Sequence, residues 1–371
     1  MTNQPTTPLN AFRAVTEAPL SRWQARFPDH RPLGMYNAYL PEELFQAAGL
    51  TPVYVFHRAG DGGRARTHLP NFTCWPGRSL VDQALSGELD GLAGMALAQT
   101  CDTVQALTDI WRQTMPHVPL YHLAMPVNLA TPAAHSLLLA ELQRLRRALG
   151  HVPDGALRDA LTLYERTRLL MARLYERAAD LLPTDLYAIL RAALLMPKAH
   201  FNPLLARFLD GLPPSPSRSR GPRLIVVGPH LADPILFQVI EAAGGRVADD
   251  FLDVGRRRWA MSNGATAQED DPLETLTRRM LSAIPAPTKH HPGRRRDAGL
   301  LARVGAVGAA GVIFARQKFC DPHGFDYAVA RTALQRRHIP HLLLELEQTP
   351  QPGQLTTRVE AFVETIAWQQ R

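Results

Sequence analysis

Three cysteines stand in 371 residues, and none is near another. Cys74 lies in Asn71-Phe72-Thr73-Cys74-Trp75-Pro76, Cys101 in Gln99-Thr100-Cys101-Asp102, and Cys320 in Lys318-Phe319-Cys320-Asp321-Pro322. Gaps of 27 and 219 residues exclude a CxxC zinc ribbon and a ferredoxin-type run, whose ligands sit close in sequence. Only the fold would bring these thiols together. Three thiolates in one cleft would suit a soft-ligand metal centre. Cysteine is also a small hydrophobe that cores bury readily, and on position alone inert thiols and a shared centre are equally open. No HExxH, Walker A, dinucleotide fingerprint or Ser/His/Asp spacing offers another chemistry. His290-His291 reads as exposed loop without a third ligand, and Gly305-x-x-Gly308-x-x-Gly311 as packing ahead of a strand.

The elements that must place these cysteines read as a repeat. Leu40-Pro41-Glu42-Glu43-Leu44-Phe45-Gln46-Ala47-Ala48-Gly49 is a short amphipathic helix that starts after a proline and stops at a glycine, with a β-branched and aromatic strand behind it. Asp233-Pro234-Ile235-Leu236-Phe237-Gln238-Val239-Ile240-Glu241-Ala242-Ala243-Gly244 repeats that grammar. A strand at Leu92–Ala98 runs into Thr100-Cys101-Asp102, and a strand at Gly311–Ala315 runs into Phe319-Cys320-Asp321. Each is followed by a helix, a strand opened by proline (Pro119 or Pro340), and a further helix, at Ser136–Ala148 or Thr357–Trp368. Alternation of this kind predicts an α/β protein of two Rossmann-like parallel-sheet domains with similar topology. In such sheets functional groups collect beyond the carboxyl ends of the strands, where Cys101 and Cys320 both fall.

The expected boundaries are an N-terminal helical or irregular segment over 1–32, a first α/β domain over 33–153, a helical connector with a Pro/Ser/Arg linker over 154–220, and a second α/β domain over 221–371. The stretch 257–300, rich in Arg, Pro, His and Gly, has no counterpart in the first half and reads as an insertion of helix plus basic loop.

Composition narrows the class. The chain is 46% apolar and 20% charged, ordinary for a globular protein, and no stretch of about 20 apolar residues would span a bilayer. Met1–Pro8 has neither a basic start nor an apolar run, so no secretory signal is expected, and so few cysteines do not make a disulfide scaffold. A reducing cytoplasm is the expected compartment. The net charge of +7 is carried by 38 Arg and only 3 Lys. Neither basic run, Arg256-Arg257-Arg258 or Arg294-Arg295-Arg296, is interleaved with aromatics, so no nucleic-acid partner is expected. A solvated basic face or a contact between subunits is favoured for them over an anion site, where phosphate groups of a CoA ester would fit arginine.

These residues together resemble the benzoyl-CoA reductase / 2-hydroxyacyl-CoA dehydratase family. The resemblance rests on Tyr39–Leu44, the Cys-x-x-x-Arg-Ser of Cys74–Ser79, Thr100-Cys101-Asp102 with Trp111, Asp249-Asp250 ahead of Gly255-x-Arg257, Lys318-Phe319-Cys320-Asp321-Pro322 with Ile339-Pro340, and Gly353–Phe362. It runs in order from about residue 33 to 368. It implies a [4Fe-4S] cluster with Cys74, Cys101 and Cys320 as ligands, and one iron with a non-cysteine ligand. It also implies a related α/β subunit as partner (heterodimer or homodimer), a separate ATP-hydrolysing iron–sulfur activator and a CoA-thioester substrate. The activity would be low-potential radical chemistry, either reduction of an aromatic CoA ester or dehydration of an (R)-2-hydroxyacyl-CoA. The arginine skew leans toward the reductase branch. An electron-transfer paralogue without catalysis and a homodimeric double-cubane reductase are the alternatives. Glu345 and Lys318 are weak candidates for acid/base or electrostatic roles, and Asp102 and Asp321 are expected to support the loop backbones beside the cysteines. Where the family carries Glu-x-Asp after the last strand, this chain has Glu345-x-Glu347.

Overall fold

A computed structural model describes residues 7–60, 62–214, 221–260, 271–347 and 352–369. The linker residues 215–220, and 261–270 within the basic stretch, lie outside the described residues. Four strands build a first parallel sheet: β1 (Pro32–Met35), β2 (Thr51–Tyr54), β3 (Gly94–Ala98) and β4 (Leu120–Leu123), in the order β2-β1-β3-β4. Four more build a second: β5 (Arg223–Gly228), β6 (Arg246–Leu252), β7 (Gly311–Gln317) and β8 (His341–Leu346), in the order β6-β5-β7-β8. The two orders are the same, so the repeat read from the residue strings is a repeat of topology. Parallel strands covered on both faces become near-continuous apolar runs, and Leu224-Ile225-Val226-Val227 of β5 is fully buried.

The crossover helices match pairwise. Glu42–Ala47 joins β1 to β2 as Ile235–Ala242 joins β5 to β6. Gly49 and Gly244, at φ 76° and 79°, turn the chain out of these helices through the left-handed region that a side chain resists. Asp102–Thr114 follows β3 and Asp321–Arg336 follows β7; Pro132–Ala148 and Pro352–Gln369 close each half.

The stretch over 257–300, expected as an insertion of helix plus basic loop, lies within the crossover from β6 to β7, and the helix at its end, Arg296–Val307, holds the place that Trp75–Leu85 holds between β2 and β3. Its other long helix, Pro272–Ser282, buries Leu273, Leu276 and Met280 in the core of the first half, beside Leu138, Leu142 and Leu157. A connector of three helices, Asp154–Glu176, Pro183–Leu195 and Lys198–Asp210, shares one core with the N-terminal helix Pro8–Glu17 and one face of the second sheet. Val53, Tyr54 and Phe56, at the end of β2, enter that same core. The halves are therefore tied by continuous apolar packing on both sides of their contact. Among the described residues no helix is long and apolar enough to cross a membrane.

Candidate functional site

Each cysteine is the residue that begins a helix. Cys74 caps Trp75–Leu85, Cys101 caps Asp102–Thr114, and Cys320 caps Asp321–Arg336. Cys101 and Cys320 each follow the last residue of their strand, Ala98 or Gln317, by three positions. Cys74 has no such twin: the residue that begins the equivalent helix of the second half is Arg295. All three thiols are free and half-buried, and all three line one pocket between the halves. About 660 Å³ free of protein atoms lies in and before this pocket, open solvent included. Tyr36, Tyr54, His230 and His323 complete much of its wall.

The electrostatics follow from this placement. Burial pushes the Cys74 thiol up to about 11, and Cys101 adds to the rise. Burial raises Cys101 as well, and raises Cys320, with Cys74 as its second cause. Thiols that raise one another are neighbours, and none of them ionises here without a compensating positive partner. The helix starts supply part of that compensation. The amide of Gly77 lies against Cys74, those of Val104 and Thr103 against Cys101, and that of His323 against Cys320, each favouring the thiolate. None reaches the geometry of a full capping hydrogen bond. Three helix dipoles nonetheless point their positive ends at one pocket.

The turns that carry the thiols are held individually. Asn37, just past β1, accepts from the Ala98 amide at 3.0 Å and donates to Thr100 Oγ1 at 2.9 Å, fixing the approach to Cys101. Lys289 Nζ donates to the carbonyls of Gln99 and Met125 at 3.1 Å each, joining that turn to the β6–β7 crossover. Phe319 sits at φ 65°, a costly conformation for a phenylalanine, and the Cys320 amide donates to Gln317 O at 3.0 Å. Asp253, after β6, accepts from His323 Nε2 at 3.0 Å and from Arg257. Burial opposes its ionisation, but His323 and Arg257 together hold it well below the usual carboxylate range.

A set of three thiolates is a donor set for an iron–sulfur cluster. Among the described residues no three His, Cys, Asp or Glu side chains gather tightly enough to hold a single metal ion. A single zinc would draw its thiolates to about 2.3 Å from one centre, whereas a cluster takes each thiolate on a separate iron. Three free thiols around one pocket match the cluster's donor set by residue type.

The remaining residues singled out in the sequence lie elsewhere. Glu345 pairs with Arg316 on the neighbouring strand, and Lys318 Nζ pairs with Glu347 at 2.6 Å; neither Glu345 nor Lys318 lines the cysteine pocket. Arg358 donates to Leu343 O at 2.7 Å. Asp102 and Asp321 occupy the first turns of their helices, where a carboxylate complements the dipole. His290 is exposed and forms a single bridge to Asn128, and His291 is half-buried.

The first basic run is not the solvated face expected. Arg257 and Arg258 are buried, and both are matched within the chain. Arg257 pairs with Asp253, and Arg258 Nε donates to Glu42 Oε1 at 2.6 Å. Arg256 pairs with Asp249 and lies over the Tyr175 ring at 4.2 Å. In the second run only Arg295 is well exposed; Arg296 is clamped by both oxygens of Asp326 at 2.8 Å. Glu43, beside Glu42, receives Arg168 and Arg279. These buried pairs join the first half, the connector and the second half.

Two α/β halves facing each other across a three-thiol pocket define the class: a two-domain α/β protein with a cysteine-lined pocket between the domains. Residues 37–366 match the family described as 2-hydroxyglutaryl-CoA dehydratase, D-component, and the chain belongs to that family. It is similar to the (R)-phenyllactyl-CoA dehydratase beta subunit of Clostridium sporogenes, 25% identical with 96% of this chain and 98% of that protein covered. It is similar to a benzoyl-CoA reductase subunit of Thauera aromatica, 25% identical with 93% of each covered. It is also similar to the (R)-2-hydroxyglutaryl-CoA dehydratase subunit beta of Acidaminococcus fermentans, 26% identical with 96% and 98% covered.

Proposed function

We propose that this chain is the [4Fe-4S]-binding subunit of a cytoplasmic enzyme that reduces or dehydrates a CoA thioester by low-potential, one-electron chemistry. The observation that carries the reading is the meeting of Cys74, Cys101 and Cys320, drawn from both halves, in one pocket at three helix starts. The relatives support the substrate class, since each is named for a CoA ester, and they support a partner subunit, since each is named as one subunit of several. A related α/β subunit and a separate ATP-hydrolysing activator complete the proposed assembly.

When bound, such a cluster supplies one-electron transfer and a Lewis-acidic position not taken by cysteine. The chain's own residues would do the rest. Cys74, Cys101 and Cys320 would hold the cluster as thiolates. The amides of Gly77, Thr103, Val104 and His323 would favour the thiolate form. Buried Tyr36 and Tyr54, whose hydroxyls stay protonated, would keep the site dry while offering hydrogen-bond donors.

One observation favours a second reading, in which this subunit relays electrons and the substrate binds elsewhere. No Lys or Arg side chain lines the cysteine pocket, so the phosphates of CoA find no cationic partner there among the described residues. Anaerobic purification, with iron and sulfide assay and EPR of the reduced form, tests the cluster. Cys74→Ser, Cys101→Ser and Cys320→Ser are each expected to lower iron and sulfide together. A wild-type protein without acid-labile sulfide, or variants that retain full content, would refute it. Binding of a CoA thioester to the isolated chain separates catalysis from relay.

A further inference from the structure

The cysteine pocket has a polar exit through the contact between the halves. Tyr54, the last residue of β2, hydrogen-bonds through its hydroxyl to His230 Nδ1 at 3.1 Å. The other nitrogen of that ring, His230 Nε2, lies 3.1 Å from His57 Nδ1. Tyr54 and His230 are buried and line the cysteine pocket. His57 is half-buried and lines a different cavity, with Arg58, Arg191, Asp233 and Glu347 at its rim. His57 Nε2 makes no hydrogen bond among the described residues and is not among the polar atoms sealed from solvent. The chain of atoms therefore begins in the pocket, crosses from the end of β2 to the turn after β5 and back, and reaches the solvent side at His57.

We propose that Tyr54, His230 and His57 form a proton path from solvent to the cysteine-lined pocket. All three side chains are neutral near pH 7. Burial lowers His230 to about 4, burial and then His230 itself lower His57 well below the usual histidine range, and burial raises the Tyr54 hydroxyl. A neutral imidazole carries one N–H and one bare nitrogen, which is what passing a proton requires. The transfer balances without net charge on any residue. His57 Nε2 takes a proton from water, leaving hydroxide to the bulk solvent, as the proton on His57 Nδ1 passes in concert to His230 Nε2. The proton on His230 Nδ1 then passes to the Tyr54 oxygen, and the Tyr54 hydroxyl proton goes to a basic atom in the pocket. Rotation of the hydroxyl and exchange of the two imidazole tautomers reset the path.

Such a path has a use if the pocket takes up electrons, a point that rests on the function proposed above. An electron placed in a buried site builds negative charge where solvation is poor, and a proton that arrives with it offsets that cost. His57 and His230 act through Tyr54 and so are relay residues rather than catalytic ones.

The test uses the full chain, purified anaerobically with ¹⁵N-labelled histidine, and follows exchange of the His230 ring proton with water by NMR. His57→Phe keeps a ring but no exchangeable proton, and His57→Gln keeps a hydrogen-bonding group that does not shuttle. Both are expected to slow exchange by about 100-fold, in the range that a positioned proton carrier contributes. Should His57→Phe fail to fold, His57→Gln decides alone. Exchange at the wild-type rate in a folded variant overturns the path. Iron and sulfide measured on the same samples report separately on the cluster: their absence from wild type overturns the proposed function, while the exchange rates still decide the path.

Discussion

Glu43→Gln is the sharpest probe of how the halves are held around the pocket. Glu43 Oε1 accepts from Arg168 Nη1 and Nη2 at 2.8 and 2.9 Å, and from Arg279 Nη1 at 3.1 Å. The three side chains belong to the first half, the connector and the β6–β7 crossover, and all are buried. Burial pushes the Glu43 carboxyl up, but Arg168 and Arg279 outweigh it and bring it from 4.5 to about 2. At about 1.4 kcal/mol for each pH unit, that difference is worth about 3 kcal/mol. It agrees with the cost of breaking a buried pair by removing one partner, about 3–5 kcal/mol. Glu165 would remain to share both arginines, bonded to Arg168 at 3.1 Å and near Arg279 at 3.7 Å. The expected loss at neutral pH is therefore about 3 kcal/mol in urea unfolding. The pH dependence carries the sign. A carboxyl with a depressed folded value stabilises fully above its unfolded value of 4.5 and loses that contribution as pH falls toward about 2. The gap between wild type and Glu43→Gln should narrow through that window. A gap that is absent at neutral pH, or that does not change between pH 5 and 3, would refute the assignment.

Two further substitutions test the local reasoning. A Cβ at position 255 would stand 1.9 Å from Asp250 Oδ1, the same oxygen that accepts the Arg256 amide at 2.9 Å, so Gly255→Ala should cost about 2–3 kcal/mol or abolish soluble expression; an unchanged urea midpoint would count against it. Asp271 caps Pro272–Ser282 by accepting from the amides of Leu273 and Glu274 at 2.8 and 3.3 Å, so Asp271→Ala should cost about 1 kcal/mol and speed hydrogen exchange at those two amides, which unchanged protection would contradict.

The repeat was legible in the sequence because helix starts and stops are local events. Pro41 with Gly49, and Pro234 with Gly244, announce the same helix twice, and the matching strand orders follow. The positions of Cys101 and Cys320, three residues beyond β3 and β7, could be read from the same grammar. The fate of the arginines could not. Arg258 meets Glu42 across 216 residues, and no local pattern tells a run of three arginines whether acids wait inside. A helix within 257–300 could be read, but the partner of Pro272–Ser282 could not, since its apolar face fits a core built by the other half. His57 and His230 were missed although a signal existed. Each follows a strand closely, after β2 and β5, which is the end of a parallel sheet where functional groups gather.

Cys74 and Cys101 belong to one half and Cys320 to the other, so the proposed cluster, held by all three, would also be a staple between the halves. Occupancy and closure become one equilibrium: a ligand gripped only by the closed form stabilises that form by an amount that grows with its concentration over its dissociation constant. The buried ion pairs and the shared apolar cores set the halves near that closed form beforehand. A loaded protein should consequently resist proteolysis across the connector better than one stripped of its ligand, and damage to the centre would be felt first as a loosening of the molecule rather than as a loss confined to the pocket.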